Sequence, residues 1–423
     1  MSGAAVSERG RLSFCLLTTF YPPHHFGGDA LHAYHLANAL ARRGHHVTVV
    51  HSRDAYAALG GSPAAEAFPH EPGVTVVPLA SGAPRAAALA TYLTGRPALH
   101  ARALDAVFRG RRFDVVHFHN VSLAGGPGVL RYGAGTKLYT ASEHWLVCPM
   151  HVLFRDNREP CVEPHCLRCT FAFRRPPQLW RYTQLLERSL DCVDLFLAPS
   201  RFTLQAHRAR GFTRPMRHLP HFLPAVEVEP GGAPPPRRPY FLFVGRLERL
   251  KGAHVLVEAF RAYRRADLVL AGDGEEGPRL RRLAAGLDHV RFLGRVAQGE
   301  LGALYAGATA LLVPSVGYEV FGLVLLEAFA RGTPAIVHDL GALPELVGEA
   351  GAGLVYRTQA ELVEAMERLR ADGALRDELG ARGHEAWRRL WSEERHLDGY
   401  FAAIDEARAL AAARGGSPGH GRQ

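Results

Sequence analysis

Short apolar runs alternate with helical patterns along most of this chain. "LSFCLLTT" (12–19) reads as a buried strand and "DALHAYHLANALARRG" (29–44) as a helix closed by Gly44. "HVTVVHS", "DVVHFHN" and "KLYTASEH" read as further strands, and "DLFLAPS" as one more, leading into the helix "RFTLQAHRARG" ended by Gly211. Apolar strands separated by helices predict a parallel sheet covered on both faces. Residues 224–239, "PAVEVEPGGAPPPRRP", lose all periodicity and are rich in Pro and Gly, so they read as a linker. The alternation then restarts. Strands are expected at "YFLFVG", "DLVLAGDG", "VRFLG", "ALLVPS" and "PAIVHD", with helices at "AHVLVEAFRAYRR", "PRLRRLAAGL", "ELGALYAGA" and "GLVLLEAFARG".

The pattern therefore predicts an α/β protein of two Rossmann-like, doubly wound domains facing a cleft. The first spans 1–223 and carries a Cys-rich excursion at 145–175. The second spans 240–391. A final helix is expected at 392–414, and a tail, 415–423, is expected to be disordered. Ligands of such sheets bind beyond the carboxyl ends of the strands. His119, Gly245, Arg246, Gly272, Pro314 and Ser315 all fall at such ends.

Two stretches there carry chemistry. In "FVGRLERLKG", Arg246 and Lys251 stand five residues apart after a buried strand. Two cations at a strand end suit a diphosphate, which Arg grips bidentately while Lys adds a point charge; a solvated basic turn would look the same. In "YEVFGLVLLEAFARG" (318–332), Gly322 opens a helix whose N–H groups prefer an anion. Glu327 lies on that helix beside Leu323 and Val324, where an ionised carboxylate needs a partner. A ribose diol would satisfy it; so would a salt bridge to a nearby arginine.

In their order and spacing, "GRLERLKG" and "PSVGYEVFGLVLLEAFARGTPAIV" resemble the retaining glycosyltransferases of the GT-B class, family four (glycosyl transferases group 1). "YPPHHFGGDALHAYHLANALARRGHHVTVV", "FDVVHFHN" and "DLFLAPSRFT" resemble the same family, so the likeness runs over about residues 12–400. The resemblance implies a hexosyltransferase moving sugar from a nucleotide-diphosphate sugar, UDP- or GDP-linked, to a hydroxyl acceptor with retained configuration, in cell-surface glycan, polysaccharide, glycolipid or natural-product biosynthesis. It implies that Arg246 and Lys251 bind the diphosphate and that Glu327 holds the ribose. Glu319 would contact donor-sugar hydroxyls, and the backbone at Phe321 and Gly322 would lie against sugar and phosphate. Gly27 and Gly28 would close on the phosphates, with His119 near the reacting carbon, and the helix 392–414 would cross back to the first domain. His117 shares a face with His119 but reads as core. Val320 stands where the family often has a smaller residue or proline, which would narrow the sugar pocket. No catalytic metal is expected, because cationic side chains take its role. A nucleotide-sugar 2-epimerase shares the two-domain plan, and a non-catalytic nucleotide-sugar binder is the other rival. The motif order and the presence of Arg246, Lys251 and Glu327 favour the transferase. "AGDGEEG" lacks the full dinucleotide fingerprint.

Composition sharpens the partners. The chain has 423 residues with 50 Lys+Arg against 41 Asp+Glu, a formal charge of +9. Such a surface attracts phosphates, nucleic acid or an anionic bilayer without choosing among them, and arginine-rich codon usage would produce it too. Nucleic acid is not the partner expected. "HARALDAVFRGRRF" (100–113) and "FAFRRPPQLWRY" (171–182) mix arginines with apolar residues and could rest on an anionic membrane. No window is long and apolar enough to span one, and no signal-peptide pattern opens the chain, so a cytoplasmic protein is expected, peripheral on the inner face of the plasma membrane if those segments bind lipid. Of six cysteines, Cys15 and Cys192 read as packing. Cys148, Cys161, Cys166 and Cys169 cluster within 22 residues. Structural zinc fits four thiols ending in C-x-x-C, though the spacing is not a standard finger; reduced thiols, a disulfide or an iron–sulfur cluster are the other readings.

Overall fold

In the computed structural model, residues 10–61, 67–225 and 238–415 are described. Most of the linker and of the C-terminal tail read from the sequence, 226–237 and 416–423, lies outside them. The strands, in chain order, are β1 (Ser13–Thr18), β2 (His46–Ser52), β3 (Val74–Leu79), β4 (Val115–Phe118), β5 (Thr136–Thr140), β6 (Phe154–Arg155), β7 (Glu159–Pro160), β8 (Leu195–Ala198), β9 (Met216–His218), β10 (Tyr240–Val244), β11 (Asp267–Ala271), β12 (Val290–Gly294), β13 (Ala310–Val313), β14 (Ala335–His338) and β15 (Gly353–Tyr356). A seven-stranded sheet has the order β3-β2-β1-β4-β5-β8-β9 and a six-stranded sheet the order β12-β11-β10-β13-β14-β15. Every pairing within these two sheets is parallel, and the short pair β6-β7 is antiparallel.

Central strands such as β1, β4 and β10 are almost continuously apolar because helices cover both faces of each sheet. β3 and β9 were not read from the sequence. Both are edge strands, half-exposed along most of their length, and β3 contains Pro78, which an edge tolerates. The helical stretch expected at 322–332 is shorter in the structure, Leu323–Phe329.

The last helix, Glu393–Gly415, leaves the second half and returns to the first. Its Leu397, Tyr400, Ala403, Ile404 and Ala407 pack with Phe14, Leu16, Val115, Leu138 and Leu195 of the seven-stranded sheet. Trp391, just before it, belongs to the core of the second half. The crossing is tied down by backbone and side chain: Leu223 N–H donates to Trp391 O at 3.1 Å, Trp387 Nε1 to Leu223 O at 3.1 Å, and His396 Nδ1 to Pro220 O at 2.7 Å.

Candidate functional site

The carboxyl ends of the two sheets meet across a cleft, the position where such sheets take ligands. The segment 318–321 is held from the other half. Ser200 Oγ donates to Val320 O at 2.6 Å and Thr203 Oγ1 to the same oxygen at 3.1 Å. The rings of Phe202 and Tyr318 lie 5.0 Å apart, and those of His221 and Phe321 5.2 Å apart. The N–H groups of Arg201 and Phe202 donate to the two Glu345 oxygens at 2.7 and 2.9 Å. Gly28 lies directly against this half, since a Cβ there would come within 2.9 Å of Leu323 Cδ1. Gly27 precedes it in extended backbone as the N-cap of the helix Gly28–Arg42.

On the second sheet, Lys251 ends a 3₁₀ turn that Gly252 closes at φ 70°. A Cβ at Gly252 would stand 2.0 Å from Pro314 O, so only glycine lets the turn lie against the end of β13. That packing brings Lys251 Nζ to both Glu319 oxygens, at 2.7 and 2.9 Å. Ser315 Oγ donates to Glu319 Oε1 at 2.6 Å, and His338 Nδ1 donates to Ser315 O at 2.8 Å. Burial pushes the Glu319 carboxyl up, but Lys251, Ser315 and Arg246 outweigh it and hold the group below its ordinary pKa. Arg246 is half exposed and pairs with Glu248 Oε1 at 2.6 Å. The sequence had put Lys251 on phosphate and Glu319 on sugar hydroxyls. Here each already has the other as partner.

Glu327 is 8% exposed, in the second turn of the helix begun by Gly322. Tyr305 O–H donates to its Oε2 at 2.6 Å. Burial first, then the Glu327 charge, raises the Tyr305 pKa, so the phenol stays protonated as a donor. Nothing local in the sequence marks Tyr305, which comes from the helix Gln298–Gly307.

On the first sheet, His119 is fully buried and neither ring nitrogen has a hydrogen-bond partner. Burial, with a smaller contribution from His396, lowers its pKa to about 3, so the imidazole is neutral. His117, with its ring centroid 4.1 Å away, is satisfied within the core by Tyr400 Oη at 3.0 Å and Thr140 Oγ1 at 2.8 Å. The sequence reading overlooked the next residue. Asn120 Nδ2 donates to Asp29 Oδ2 at 3.4 Å and to Glu143 Oε2 at 3.2 Å, and His151 Nδ1 lies 2.8 Å from the same Glu143 oxygen. Burial and Glu143 raise the Asp29 pKa, while Asn120 and Arg246 oppose the rise. Asn120 and Glu143 follow β4 and β5, and Asp29 opens the helix Gly28–Arg42 next to Gly27 and Gly28, which was the available signal.

Cys148, Cys161, Cys166 and Cys169 are free thiols and line one cavity of about 20 Å³, with His165 and Phe154. Burial raises the pKa of Cys161, Cys166 and Cys169. Asp156 N–H donates to Cys169 Sγ at 3.4 Å. Among the described residues no group of three or more His, Cys, Asp or Glu stands in metal-holding geometry. No helix among them is long and apolar enough to cross a membrane.

Residues 26–227 match the family model "Glycosyltransferase Family 4" and residues 228–386 match "Glycosyl transferases group 1". A phosphatidyl-myo-inositol mannosyltransferase of Mycobacterium leprae is 38% identical over 36% of this chain and 42% of its own length. A D-inositol 3-phosphate glycosyltransferase of Actinosynnema mirum is 36% identical over 39% of this chain and 44% of its own. These matches span less than half the length of either relative. Among solved structures, the sucrose-phosphate synthase of Thermosynechococcus elongatus superposes with a TM-score of 0.71 at 22% identity, covering 95% of this chain and 100% of that one. Anabaena HepE, solved in complex with UDP and glucose, gives 0.65 at 17% identity, covering 93% and 100%. The fold is that of the GT-B glycosyltransferases, and the chain belongs to glycosyltransferase family four, the glycosyl transferases group 1.

Proposed function

We propose that the protein transfers a glycosyl group from a nucleoside-diphosphate sugar to a hydroxyl acceptor, with retention. The observation that supports this reading is the linked set Arg246, Lys251, Ser315 and Glu319 after the strands of the second sheet, with Glu327 on the helix that follows and Asp29 of the first domain within the electrostatic reach of Arg246. Lys251 and Arg246 take the charge of the departing diphosphate, which is why no catalytic metal is invoked. The ion pair of Arg246 with Glu248 is half exposed, so exchanging it for phosphate costs little. Glu319 aims the Lys251 ammonium, and Glu327, steadied by Tyr305, accepts from the ribose. The backbone at Phe321 and Gly322 lies against the sugar. Gly27 and Gly28 let the first domain close on the phosphates, and the neutral His119 faces the reacting carbon. The leaving phosphate oxygen takes the acceptor's proton as the hydroxyl attacks on the same face. UDP is the donor nucleotide we favour, since HepE of this fold is solved with UDP and with UDP-glucose.

Calorimetric titration with UDP, GDP, ADP and TDP tests this. One diphosphate should bind, and Lys251→Ala or Glu327→Ala should weaken it about 10- to 100-fold, the cost of a lost charge-assisted hydrogen bond. Binding by none of the four would sink the donor site. Proton NMR of the product should show the donor's anomeric configuration, and inversion would discard the same-face route.

We read the four gathered cysteines as ligands of a structural zinc, which would have to draw them into a tetrahedral geometry they do not hold in this structure and displace the protons that burial keeps on them. Protein purified without chelator should carry about one zinc by elemental analysis. Less than about half an equivalent would remove the idea.

A further inference from the structure

We propose that one face of the first domain is a docking surface for an anionic lipid bilayer. The charge of the chain is not spread over it. Residues 79–113 hold six arginines and one aspartate, and residues 164–186 hold four arginines and no acid, so these two segments account for the whole formal excess of +9. They are adjacent in space: Trp180 Nε1 donates to Tyr92 O at 2.8 Å and Tyr92 O–H to Pro176 O at 3.0 Å.

The same two segments hold most of the large apolar side chains that face water. On the helix Pro84–Thr94, Leu89 and Leu93 are 51% and 42% exposed, four residues apart and thus on one stripe, with Arg85 one turn before them. On the helix Cys166–Ala172, Leu167 and Phe171 repeat the spacing, 49% and 60% exposed, with Arg174 and Arg175 just beyond. On the 3₁₀ turn Leu179–Tyr182, those two end residues eclipse one another at 66% and 67% exposed. Three separate elements therefore each present an apolar pair to solvent. Among the described residues, Arg85, Arg174 and Arg175 have no carboxylate partner.

Unpaired arginine beside exposed leucine and aromatic side chains is the chemistry of an interfacial contact, in which apolar groups enter the acyl boundary and cations meet acidic headgroups. A polyanion such as RNA would use the arginines but leave the leucines idle. Both segments also leave the sheet from carboxyl ends of its strands, after β3 and after β5, which is the edge that lines the cleft. A substrate anchored in the bilayer would meet that rim.

The test is flotation of the full chain with vesicles of neutral phosphatidylcholine and of phosphatidylcholine with about one-third phosphatidylglycerol. We expect binding to the acidic vesicles at low salt, weakened but not abolished at high salt because only the charge part is screened. The double variant Arg174→Glu, Arg175→Glu should lose at least about fivefold per arginine. Leu93→Ser with Phe171→Ser should lose binding to vesicles while keeping retention on heparin, because the charge is unchanged. Nucleotide titration on each variant shows that it is folded. No binding of the native chain to acidic vesicles at low salt overturns the proposal. So does binding indifferent to the leucine and phenylalanine changes, which would mark a polyanion site instead.

Discussion

His32, His117, His119, His221 and His396 are all at most 5% exposed, and burial lowers the pKa of each. His119 falls to about 3 and His396 to about 4. Their unfolded value is about 6.5. A lowered histidine pKa means that the unfolded chain binds protons the folded one refuses. Stability from these residues is thus full above about pH 6.5 and declines as pH falls from there toward 4, by up to about 1.4 kcal/mol per histidine per pH unit. Thermal unfolding from pH 8 to pH 5 at fixed ionic strength should show a steep fall below pH 6.5. His119→Leu should flatten it by one proton and leave the protein at least as stable at pH 8, because it also removes two unsatisfied ring nitrogens. An unchanged slope would show that His119 is not buried neutral. His119 itself was legible, by its position at the end of "DVVHFHN". His117 was legible beside it as a core residue, but His32, His221 and His396 were not, since they arrive from three distant parts of the chain and the rings of His32 and His221 meet at 3.8 Å only after folding.

At the scale of elements, alternation of apolar runs and helices located β1, β2, β4, β5, β8, β10, β11, β13 and β14 closely, because each is largely buried and leaves a continuous apolar signature, and it located the edge strand β12 as well, by the short apolar run in "VRFLG". It failed where burial is partial. β3, β9 and β15 are edge strands, and the helices Gln359–Ala371 and Gly373–Leu390 are mixed along their length. The donor helix was legible as an element but not in its extent. Gly322 at φ 119° fixes its start, and the chain leaves it after Phe329, giving seven residues, of which only two follow Glu327. The cations of the site could be named from spacing; that Lys251 is already engaged by Glu319 could not, since 68 residues separate them. The basic segments at 100–113 and 171–182 were visible as composition. Their apolar partner, the stripe on Pro84–Thr94, was not singled out, because a surface leucine in a helix looks like a buried one until its neighbours are known.

At the scale of the whole molecule, chain order and packing disagree. The helix Glu393–Gly415 comes last in sequence yet completes the core of the first half, and its entry is clamped by Leu223, Trp387 and His396. Cutting the backbone between residues 226 and 237 should therefore not separate two proteins. A protease site inserted there and cleaved should leave fragments that elute together near the intact mass of 46.2 kDa in gel filtration and still bind nucleotide. Separation in native buffer would mean that the returning helix contributes little. The first 225 residues made alone should aggregate, since the apolar groove for Tyr400 and Ile404 would lie open to water, and supplying the remainder as a second polypeptide should rescue them. Fragments that rejoin in this way would make the protein a split reporter, divided at one place and drawn together chiefly by a borrowed helix.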